Sequence, residues 1–429
     1  MQPRVSWGGL LMIPLVFLAC TGTGEEIRGP EETRQSADED AIAGADVDGI
    51  DDDAAPSTRV FDRVPHDDLL FGGEFAHEIT DVAAGGPGFI AVGYDTGGPH
   101  PDAYVHTAVV WTSVDGRTWI RIPDDVSGLG DRGFRMQGVT PHGAGFVAVG
   151  GDGLSPVVWH SSDGESWSHL PDDAVEPGGA SGFRSMYHVA EFRSGFVAVG
   201  TESLVDIESR GSAVAAAVWI SGDGTTWSRV DHDEVFNGAI ITSIIRGGPG
   251  LIAVGSYEDG SVLSWTSSDG RSWSPAPQEA AESTPTARIW MSSVAAGDPG
   301  LVAVGYDQNL QAAAVWTSPD GLFWSRVEHS SSFGSSGERM SEVVRWGSSF
   351  VAVGSHPDRG SLVWILEDGE NWSLLDIEAE SGDGVIRALA TDGDVLVAGG
   401  WAFDPSEIDS PESVTEERRV AALWTSRPN

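Results

Sequence analysis

Arginine is the residue type in this sequence whose placement points most directly to ligand chemistry. The chain carries 65 acidic residues and a net charge of −41, and all 24 of its basic residues are arginine. A planar guanidinium group can hold a carboxylate through two parallel hydrogen bonds. The simpler interpretation, which we favour, is that the arginines pair with acidic neighbours and serve the structure. The candidate ligand-binding arginines occur in five similar segments: Arg135 (FRMQGV), Arg184 (FRSMYHV), Arg288 (ARIWMSSV), Arg339 (ERMSEV) and Arg387 (VIRALA).

Acidic side chains suggest a second kind of site, since carboxylate oxygens are the ligands that calcium prefers. Their spacing is not that of a compact calcium-binding loop, so solvated surface charge is the favoured interpretation and a surface calcium site the alternative. The sequence has no histidine pair at metal-ligand spacing, no glycine-rich phosphate loop, no serine elbow and no cysteine motif. We therefore expect no cofactor. The acidic residues in question are Asp95, Asp102, Glu202, Asp206, Glu208, Asp307, Asp404, Glu407 and Asp409.

The net charge restricts the classes of partner. A chain this acidic repels phosphate backbones and anionic headgroups, so its overall field argues against binding nucleic acid or a lipid surface. We expect a monomer whose partner is a protein or a glycan.

An internal repeat determines how these residues are arranged. The segment GFIAVG (88–93) recurs at 145–150, 195–200, 250–255, 300–305, 349–354 and 394–400, roughly 45 to 57 residues apart. Periods of this length are typical of propellers and solenoids. The pattern predicts seven units over residues 59–429.

Each unit is predicted to contain four short antiparallel strands and no helix of note. In the first unit a strand such as ITDVAA leads through a turn to FIAVG, and a variable loop leads to AVVWTS. An Asp-Gly hairpin then leads to TWIRI, since both residues tolerate positive φ. Seven such units make an all-β, seven-bladed β-propeller.

The two ends of the chain are complementary. The seventh unit stops at ALWTSRPN, after its third strand, whereas FDRVPHDD at Phe61–Asp68 aligns with WSRVDHDE in a complete unit. We predict that the N-terminal segment supplies the outer strand of the last blade and closes the ring, which protects the sheet edges.

The repeated hairpin resembles a known motif. The segment SVDGRTW at Ser113–Trp119 is similar to the Asp-box of sialidase-type propellers, although one residue between aspartate and glycine is missing. Because the motif recurs six times, whereas a catalytic group is needed once per site, we interpret its aspartates as acceptors of backbone N–H bonds within the turn. They are Asp115, Asp163, Asp223, Asp269, Asp320 and Asp368.

The resemblance also implies candidate catalytic residues. Sialidases hold a carboxylate with an arginine triad and carry out the chemistry with a tyrosine–glutamate pair and an aspartate. Tyr187, Glu342 and Asp81 lie in corresponding first strands of this chain. The segment at Arg121–Pro123 is similar to a sialidase signature but falls on an outer strand.

Loop lengths indicate which face of the propeller binds. Turns between strands one and two and between strands three and four share one face, which we call the short-turn face. The other loops share the variable face, and three of them are long: Tyr94–His106, Thr201–Val214 and Trp401–Arg419. Since function concentrates in variable loops on a rigid scaffold, we expect a non-catalytic propeller that binds its partner on the variable face. The alternatives are a sialidase-like glycoside hydrolase and an envelope assembly or stability factor.

The N-terminus predicts export. Residues 1–20 combine a weakly positive start with a short apolar run that ends at Cys20, the only cysteine. This pattern resembles a bacterial lipoprotein signal in which Cys20 is lipidated, so we expect a cell-envelope lipoprotein, with plain secretion as the alternative. Residues 21–58 are acidic and lack aromatic residues, which predicts a disordered tether.

Overall fold

Seven four-stranded antiparallel sheets form a closed ring, which confirms the predicted seven-bladed β-propeller. The computed structural model describes residues 61–426 except 73–75, 97–105, 124–127, 130–132, 176–182, 207–210, 232, 258–263, 277–287, 299, 331, 368–370, 376–383 and 404–418. Cys20 and the predicted tether therefore lie outside the described residues. Among the described residues, no helix has the length and apolar character needed to cross a bilayer.

The strands run from the inside of each blade to its outside in chain order. β1 (Phe61–Arg63) comes first and belongs to the last blade. Blade 1 contains β2 (Ala76–Gly85), β3 (Gly88–Thr96), β4 (His106–Ser113) and β5 (Ile120–Arg121). Blade 2 contains β6 (Arg135–His142), β7 (Gly145–Gly151), β8 (Pro156–Ser161) and β9 (Trp167–His169). Blade 3 contains β10 (Arg184–Phe192), β11 (Gly195–Asp206), β12 (Gly211–Ser221) and β13 (Trp227–Arg229).

The second half of the ring has the same order. Blade 4 contains β14 (Ala239–Gly247), β15 (Gly250–Tyr257), β16 (Ser264–Ser267) and β17 (Ser274–Pro275). Blade 5 contains β18 (Ile289–Ala296), β19 (Leu301–Asp307), β20 (Ala312–Ser318) and β21 (Ser325–Arg326). Blade 6 contains β22 (Arg339–Trp346), β23 (Ser349–His356), β24 (Gly360–Leu366) and β25 (Trp372–Leu375). Blade 7 contains β26 (Gly384–Thr391), β27 (Leu396–Phe403), β28 (Arg419–Ser426) and the incoming β1.

The ring closes as the sequence predicts. β1 pairs with β28 in an antiparallel register that sets Phe61 opposite Ser426 and Arg63 opposite Trp424. Phe61 occupies the position that tryptophan has in the other blades, and it is buried in the core between blades 6 and 7. The first and last strands of the propeller thus share one sheet.

Hydrophobic clusters fill the space between neighbouring blades. Each second strand is buried on both faces, which explains its continuous apolar run. The tryptophan of the third strand is fully buried in six blades. Burial of such a ring contributes at most about 4–6 kcal/mol, from ~150–250 Å² at ~25 cal/mol per Å². These six residues are Trp111, Trp159, Trp219, Trp265, Trp364 and Trp424.

The connections between blades contain short helices that the strand pattern does not predict. They are α1 (Asp68–Phe71), α2 (Asp172–Val175) and a 3₁₀ turn at Glu234–Phe236. Each is too short for a helical period to show in the sequence. Asp67 caps α1 by accepting the N–H groups of Leu69 and Leu70. Phe71 at its end is buried, and the Leu70 carbonyl accepts the indole N–H of Trp111 at 2.6 Å.

The Asp-Gly hairpin differs from the predicted tight turn. Only the glycine has a positive φ, for example 68° at Gly116, and six residues lie between the end of β4 and the start of β5. Asp115 instead closes the loop with its side chain, since Oδ1 accepts the backbone N–H groups of Arg117 at 2.8 Å and of Thr118 at 2.7 Å. The predicted hairpin between the third and fourth strands is therefore present, but a longer loop closed by the aspartate replaces the tight turn.

Candidate functional site

A β-bulge at the same position of all seven innermost strands defines the wall of the central channel. The register shifts between Ile79 and Asp81 in β2, between Met340 and Glu342 in β22, and equivalently in the other inner strands. A bulge inserts one residue and redirects the side chains beside it. We call the residues that follow the bulge the channel ring: Asp81, Gly138, His188, Ser243, Ser293, Glu342 and Ala388.

The channel ring connects neighbouring blades through hydrogen bonds. The backbone N–H of Val139 in blade 2 donates to Asp81 Oδ2 at 2.8 Å, and that of Leu389 in blade 7 donates to Glu342 Oε2 at 2.8 Å. Equivalent but longer bonds of 3.4 Å reach Ser293 from Val343 and His188 from Ile244. Residues of different chemistry thus serve one structural purpose.

Two members of the ring, the buried Asp81 and the half-buried Glu342, carry carboxyl groups that interact electrostatically. Burial raises the pKa of Asp81 to about 7, although the N–H groups of Val139 and Val82 oppose the increase. Burial also raises the pKa of Glu342 well above its usual range, and the charge of Asp81 adds to the effect. Both groups therefore favour the protonated form more than an exposed carboxyl group does.

The structure separates the residues that the sialidase resemblance implies. Asp81 and Glu342 lie at one level of the channel in blades 1 and 6, whereas Tyr187 is the bulge residue of blade 3. The Tyr187 hydroxyl bonds to the Thr201 hydroxyl at 3.0 Å, and burial raises the pKa of the tyrosine. Because blades 4 and 5 lie between Tyr187 and Glu342, and the Tyr187 hydroxyl bonds to Thr201, the pair does not form the hydrogen-bonded nucleophile and base that the resemblance implies.

Above the channel ring, on the variable face, arginines and aromatic rings form the mouth of the channel. Arg387 Nε lies 2.7 Å from Glu78 Oε1, and the Tyr94 hydroxyl donates to the other oxygen of Glu78 at 3.0 Å. Arg135 stacks over the Tyr94 ring at 5.0 Å and contacts His106. Burial, with the charge of Arg135, lowers the pKa of His106 to about 3, so this histidine stays neutral.

A second group of the same kind occurs at blades 5 and 6. Arg339 stacks over the Tyr306 ring with its Cζ atom 4.4 Å from the ring centroid. The Tyr306 ring also packs against Trp290 at 5.6 Å. Arg288 precedes β18 and is exposed on the same face. We call the stacked Arg135 and Arg339, with Tyr94, Tyr306 and Trp290, the mouth cluster.

The remaining candidate arginine belongs to a different arrangement. Arg184 Nε donates to Glu202 at 3.1 Å, and Glu202 also accepts from Arg229 on the outer strand. The same outer-strand pairing occurs between Arg121 and Asp95 at 2.6 Å and between Arg326 and Asp307 at 2.8 Å. Sequence reasoning missed this role of the outer arginines, although their recurrence as IRI and SRV was its signal.

These ion pairs bear on the acidic residues considered for calcium. Asp95, Glu202 and Asp307 each face an arginine, so part of their charge is already balanced. Within the described residues, no three His, Cys, Asp or Glu side chains are grouped so as to hold a metal ion. Asp102, Glu208, Asp404, Glu407 and Asp409 lie outside them.

One of the long insertions is a strand extension. In blade 3 the ladder between β11 and β12 continues to Asp206 opposite Gly211, well beyond the length of the other blades. The other two insertions fall largely in residues 97–105 and 404–418, outside the described residues.

The repeated aspartates act alike at the short-turn face. In the five described turns, the aspartate accepts two backbone N–H bonds, as Asp163 does from Glu165 and Ser166. These bonds lower the pKa of each aspartate, in Asp269 to about 2. Asp368 lies outside the described residues. The geometry accounts for the motif as a turn-closing device.

Comparison with known proteins gives no sequence relative and several structural ones. No protein-family model matches the chain, and no curated protein matches it. A protein of unknown function from Dyadobacter fermentans has a TM-score of 0.48 at 14% identity, over 84% of this chain and 97% of that one. An α-L-arabinofuranosidase from Fusarium graminearum scores 0.44 at 14% identity, over 86% and 97%. A Trypanosoma rangeli sialidase scores 0.43 at 11% identity, over 87% and 60%. At such identities and scores the likeness says nothing about activity.

Proposed function

We propose that the chain is a non-catalytic binding propeller that takes an anionic group of a protein or glycan partner at the channel mouth. The observation that carries this proposal is the mouth cluster, in which tyrosine rings hold Arg135 and Arg339 by stacking. A guanidinium group that is stacked on a tyrosine ring is already held in place, so it loses little conformational freedom when it binds. Trp290, which is half-buried and packs on the buried Tyr306, adds aromatic surface of the kind that favours a sugar ring.

The alternative of a sialidase-like hydrolase receives less support from the channel. A glycosidase needs a nucleophile and a proton donor on either side of one glycosidic bond. Here Asp81 and Glu342 accept backbone N–H bonds between blades, and Tyr187 bonds to Thr201. We therefore expect no cleavage of an activated sialoside. The resemblance to Asp-box propellers, which the turn geometry supports, is compatible with either class.

The proposed location is the cell envelope, through a lipid on Cys20, and we expect a monomer there. Residues 21–58 would hold the propeller away from the membrane. The alternative function at the same cellular location is that of an envelope assembly or stability factor. Its partner would be a resident envelope protein.

The proposal predicts salt-sensitive retention on carboxylated glycans. In affinity electrophoresis, polygalacturonate or hyaluronate should retard the protein at low ionic strength, and neutral dextran should not. Retardation should fall as salt rises, since exposed charges are screened over ~10 Å at 0.1 M. Arg135→Ala and Arg339→Ala should each weaken it at least about fivefold, for about 1 kcal/mol lost per charge-assisted contact.

The matched control is Arg117→Ala, which removes an exposed arginine on the short-turn face. This variant should behave like the wild type. Equal retardation of all three variants, or none of the wild type at low salt, would contradict the proposed site. Cleavage of an activated sialoside that is lost in Tyr187→Phe, at an unchanged melting temperature, would favour the hydrolase.

A further inference from the structure

The channel contains a cavity on the side away from the mouth cluster. It has a volume of about 220 Å³ and lies between the inner strands of blades 3 to 6. Its polar wall consists of channel-ring residues, and its apolar wall comes from the strand segments that run toward the short-turn face. The polar residues are His188, Ser243, Ser293 and Glu342, and the apolar ones include Ile245, Val294, Ala295 and Val344.

Two of the polar residues are larger than the fold requires. Ser293 shows that a hydroxyl group suffices to accept the N–H of the next blade. His188 and Glu342 make the same inter-blade bond with one atom, Nδ1 and Oε2 respectively. The opposite nitrogen of His188 and the opposite oxygen of Glu342 are therefore not needed for that bond.

The favoured protonation states of His188 and Glu342 make both of these atoms neutral hydrogen-bond donors. Because His188 Nδ1 accepts the Ile244 N–H, the neutral ring carries its proton on Nε2, and burial lowers the pKa of His188 to about 4. Burial raises the pKa of Glu342 well above its usual range, which favours the protonated form of this carboxyl group. The cavity thus offers neutral donors, an imidazole N–H and a carboxyl O–H, beside the hydroxyl groups of Ser243 and Ser293.

A positively charged side chain lies at the open end of the cavity. Arg345, the exposed residue at the short-turn end of β22, lines the cavity and donates its Nε to the Gly347 carbonyl at 2.9 Å. Donors at the inner end, an apolar side wall and one cation at the opening match a short acid with a hydrocarbon tail.

We infer that this cavity is a binding site for a short-chain monocarboxylate, reached from the short-turn face and separate from the mouth cluster. The carboxylate accepts from His188 Nε2 and from the hydroxyl groups, and its tail lies against Val294 and Val344. This site does not depend on the proposed function, because its residues belong to the channel ring or follow it toward the short-turn face, and none is part of the mouth cluster.

The test uses butyrate and its uncharged isostere butyramide with the full chain. Ligand-observed NMR should give butyrate a dissociation constant of about 1 mM and butyramide one at least about tenfold weaker. Equal affinity for the two, or no saturable binding of butyrate, would overturn the inference.

A variant locates the site. His188→Asn keeps an acceptor for the Ile244 N–H but removes the Nε2 donor, and it should weaken butyrate binding about tenfold. The control is His169→Asn, an exposed histidine on outer strand β9, which should bind as the wild type does. If folded His188→Asn binds as tightly as His169→Asn, the ligand is elsewhere.

The pH dependence of butyrate binding can first be measured on the wild-type protein alone. An ionised Glu342 repels the ligand, so binding should weaken as pH rises through its titration. The other titratable or charged groups near Glu342 are Asp81 from β2, which raises its pKa, and the neutral His188 and the cationic Arg345, which line the same cavity. Glu342→Gln should remove most of the dependence, and its persistence in that variant would contradict a carboxylate beside Glu342.

Discussion

At the scale of single residues, the channel ring shows one structural position filled by different chemistry. Ser293 makes the inter-blade bond with a neutral hydroxyl group, whereas Asp81 and Glu342 make it with carboxyl groups. Burying a carboxyl group costs stability once it ionises. Since serine would avoid that cost, the two acids tie the stability of the channel to pH.

The sign of this dependence follows from the raised pKa of Glu342. A carboxyl group whose pKa is higher in the folded state stabilises the fold below its ordinary pKa and loses that contribution as pH rises through the raised value. Urea denaturation at pH values that rise from the ordinary pKa of 4.5 should therefore show the wild type losing more stability than Glu342→Gln. In this range His188 and His106 stay neutral, since their pKa values are lowered to about 4 and 3.

The control for this comparison is Glu165→Gln, an exposed glutamate in the turn of blade 2. It should follow the wild type at every pH. If Glu342→Gln shows the same slope as Glu165→Gln, Glu342 titrates as an ordinary surface acid and the interpretation of its burial is wrong.

At the scale of strands and turns, the sequence predicts the repeat but not the bulge. Recurring apolar runs, Asp-Gly pairs and tryptophans predict seven four-stranded blades and their closure, because each reflects a local period. The bulge leaves no recognisable residue pattern in the sequence, because it adds only a single residue to each inner strand. The signal of the bulge is the last glycine of the repeated GFIAVG segment, which lies in the second strand of each blade. At Gly93, for example, the bulge brings a carbonyl group of the inner strand over the glycine Cα.

The channel mouth shows the same limit for the candidate site. Arg135 and Arg339, which stack on tyrosine rings, both lie two residues before the bulge residue. Arg184 lies three residues before it and Arg387 is the bulge residue itself, and both pair with glutamates. The bulge and the neighbouring blade decide whether each arginine stacks on a tyrosine or pairs with an acid. A sequence period carries no information about such contacts between blades.

At the last glycine of the GFIAVG segment, we expect the addition of one methyl group to destabilise the fold strongly. A Cβ on Gly255 would overlap the Ile240 carbonyl oxygen of the bulged strand, whereas one on Gly222 would meet nothing within 4 Å. Gly255→Ala should therefore lower the free energy of unfolding by about 3 kcal/mol, because the backbone of the blade must shift. Gly222→Ala should change it by less than about 0.5 kcal/mol. Chemical denaturation measures both, and equal effects would mean that the bulge is not rigid.

At the scale of the whole molecule, two features of the chain ends decide how the propeller is held. The sequence predicts attachment at Cys20, and the structure joins the start of the propeller to its end through β1 and β28. Our proposal attributes membrane attachment to a lipid on Cys20 and not to surface charge, because a net charge of −41 disfavours contact with anionic headgroups.

Attachment is tested by fractionation. Cys20→Ala removes the thiol that would carry the lipid, so the expressed protein should move from the membrane fraction to the soluble one. Because Cys20 is the only cysteine, the substitution breaks no disulfide and should leave the melting temperature of the propeller unchanged. Identical fractionation of wild type and variant would contradict the lipoprotein prediction.

Closure of the ring is tested by two deletions, one that removes β1 and one that removes only residues before it. Removing residues 59–68 takes away β1 and with it Phe61, which is buried between blades 6 and 7. Loss of one buried aromatic ring alone costs about 3–5 kcal/mol, and the deletion also leaves β28 as an unpaired edge that invites aggregation. We expect a large drop in melting temperature and aggregation at temperatures where the wild type is stable. Removing residues 21–50 should change neither, because that segment precedes β1. Equal melting temperatures for the two deletions would mean that β1 contributes nothing to holding the ring closed.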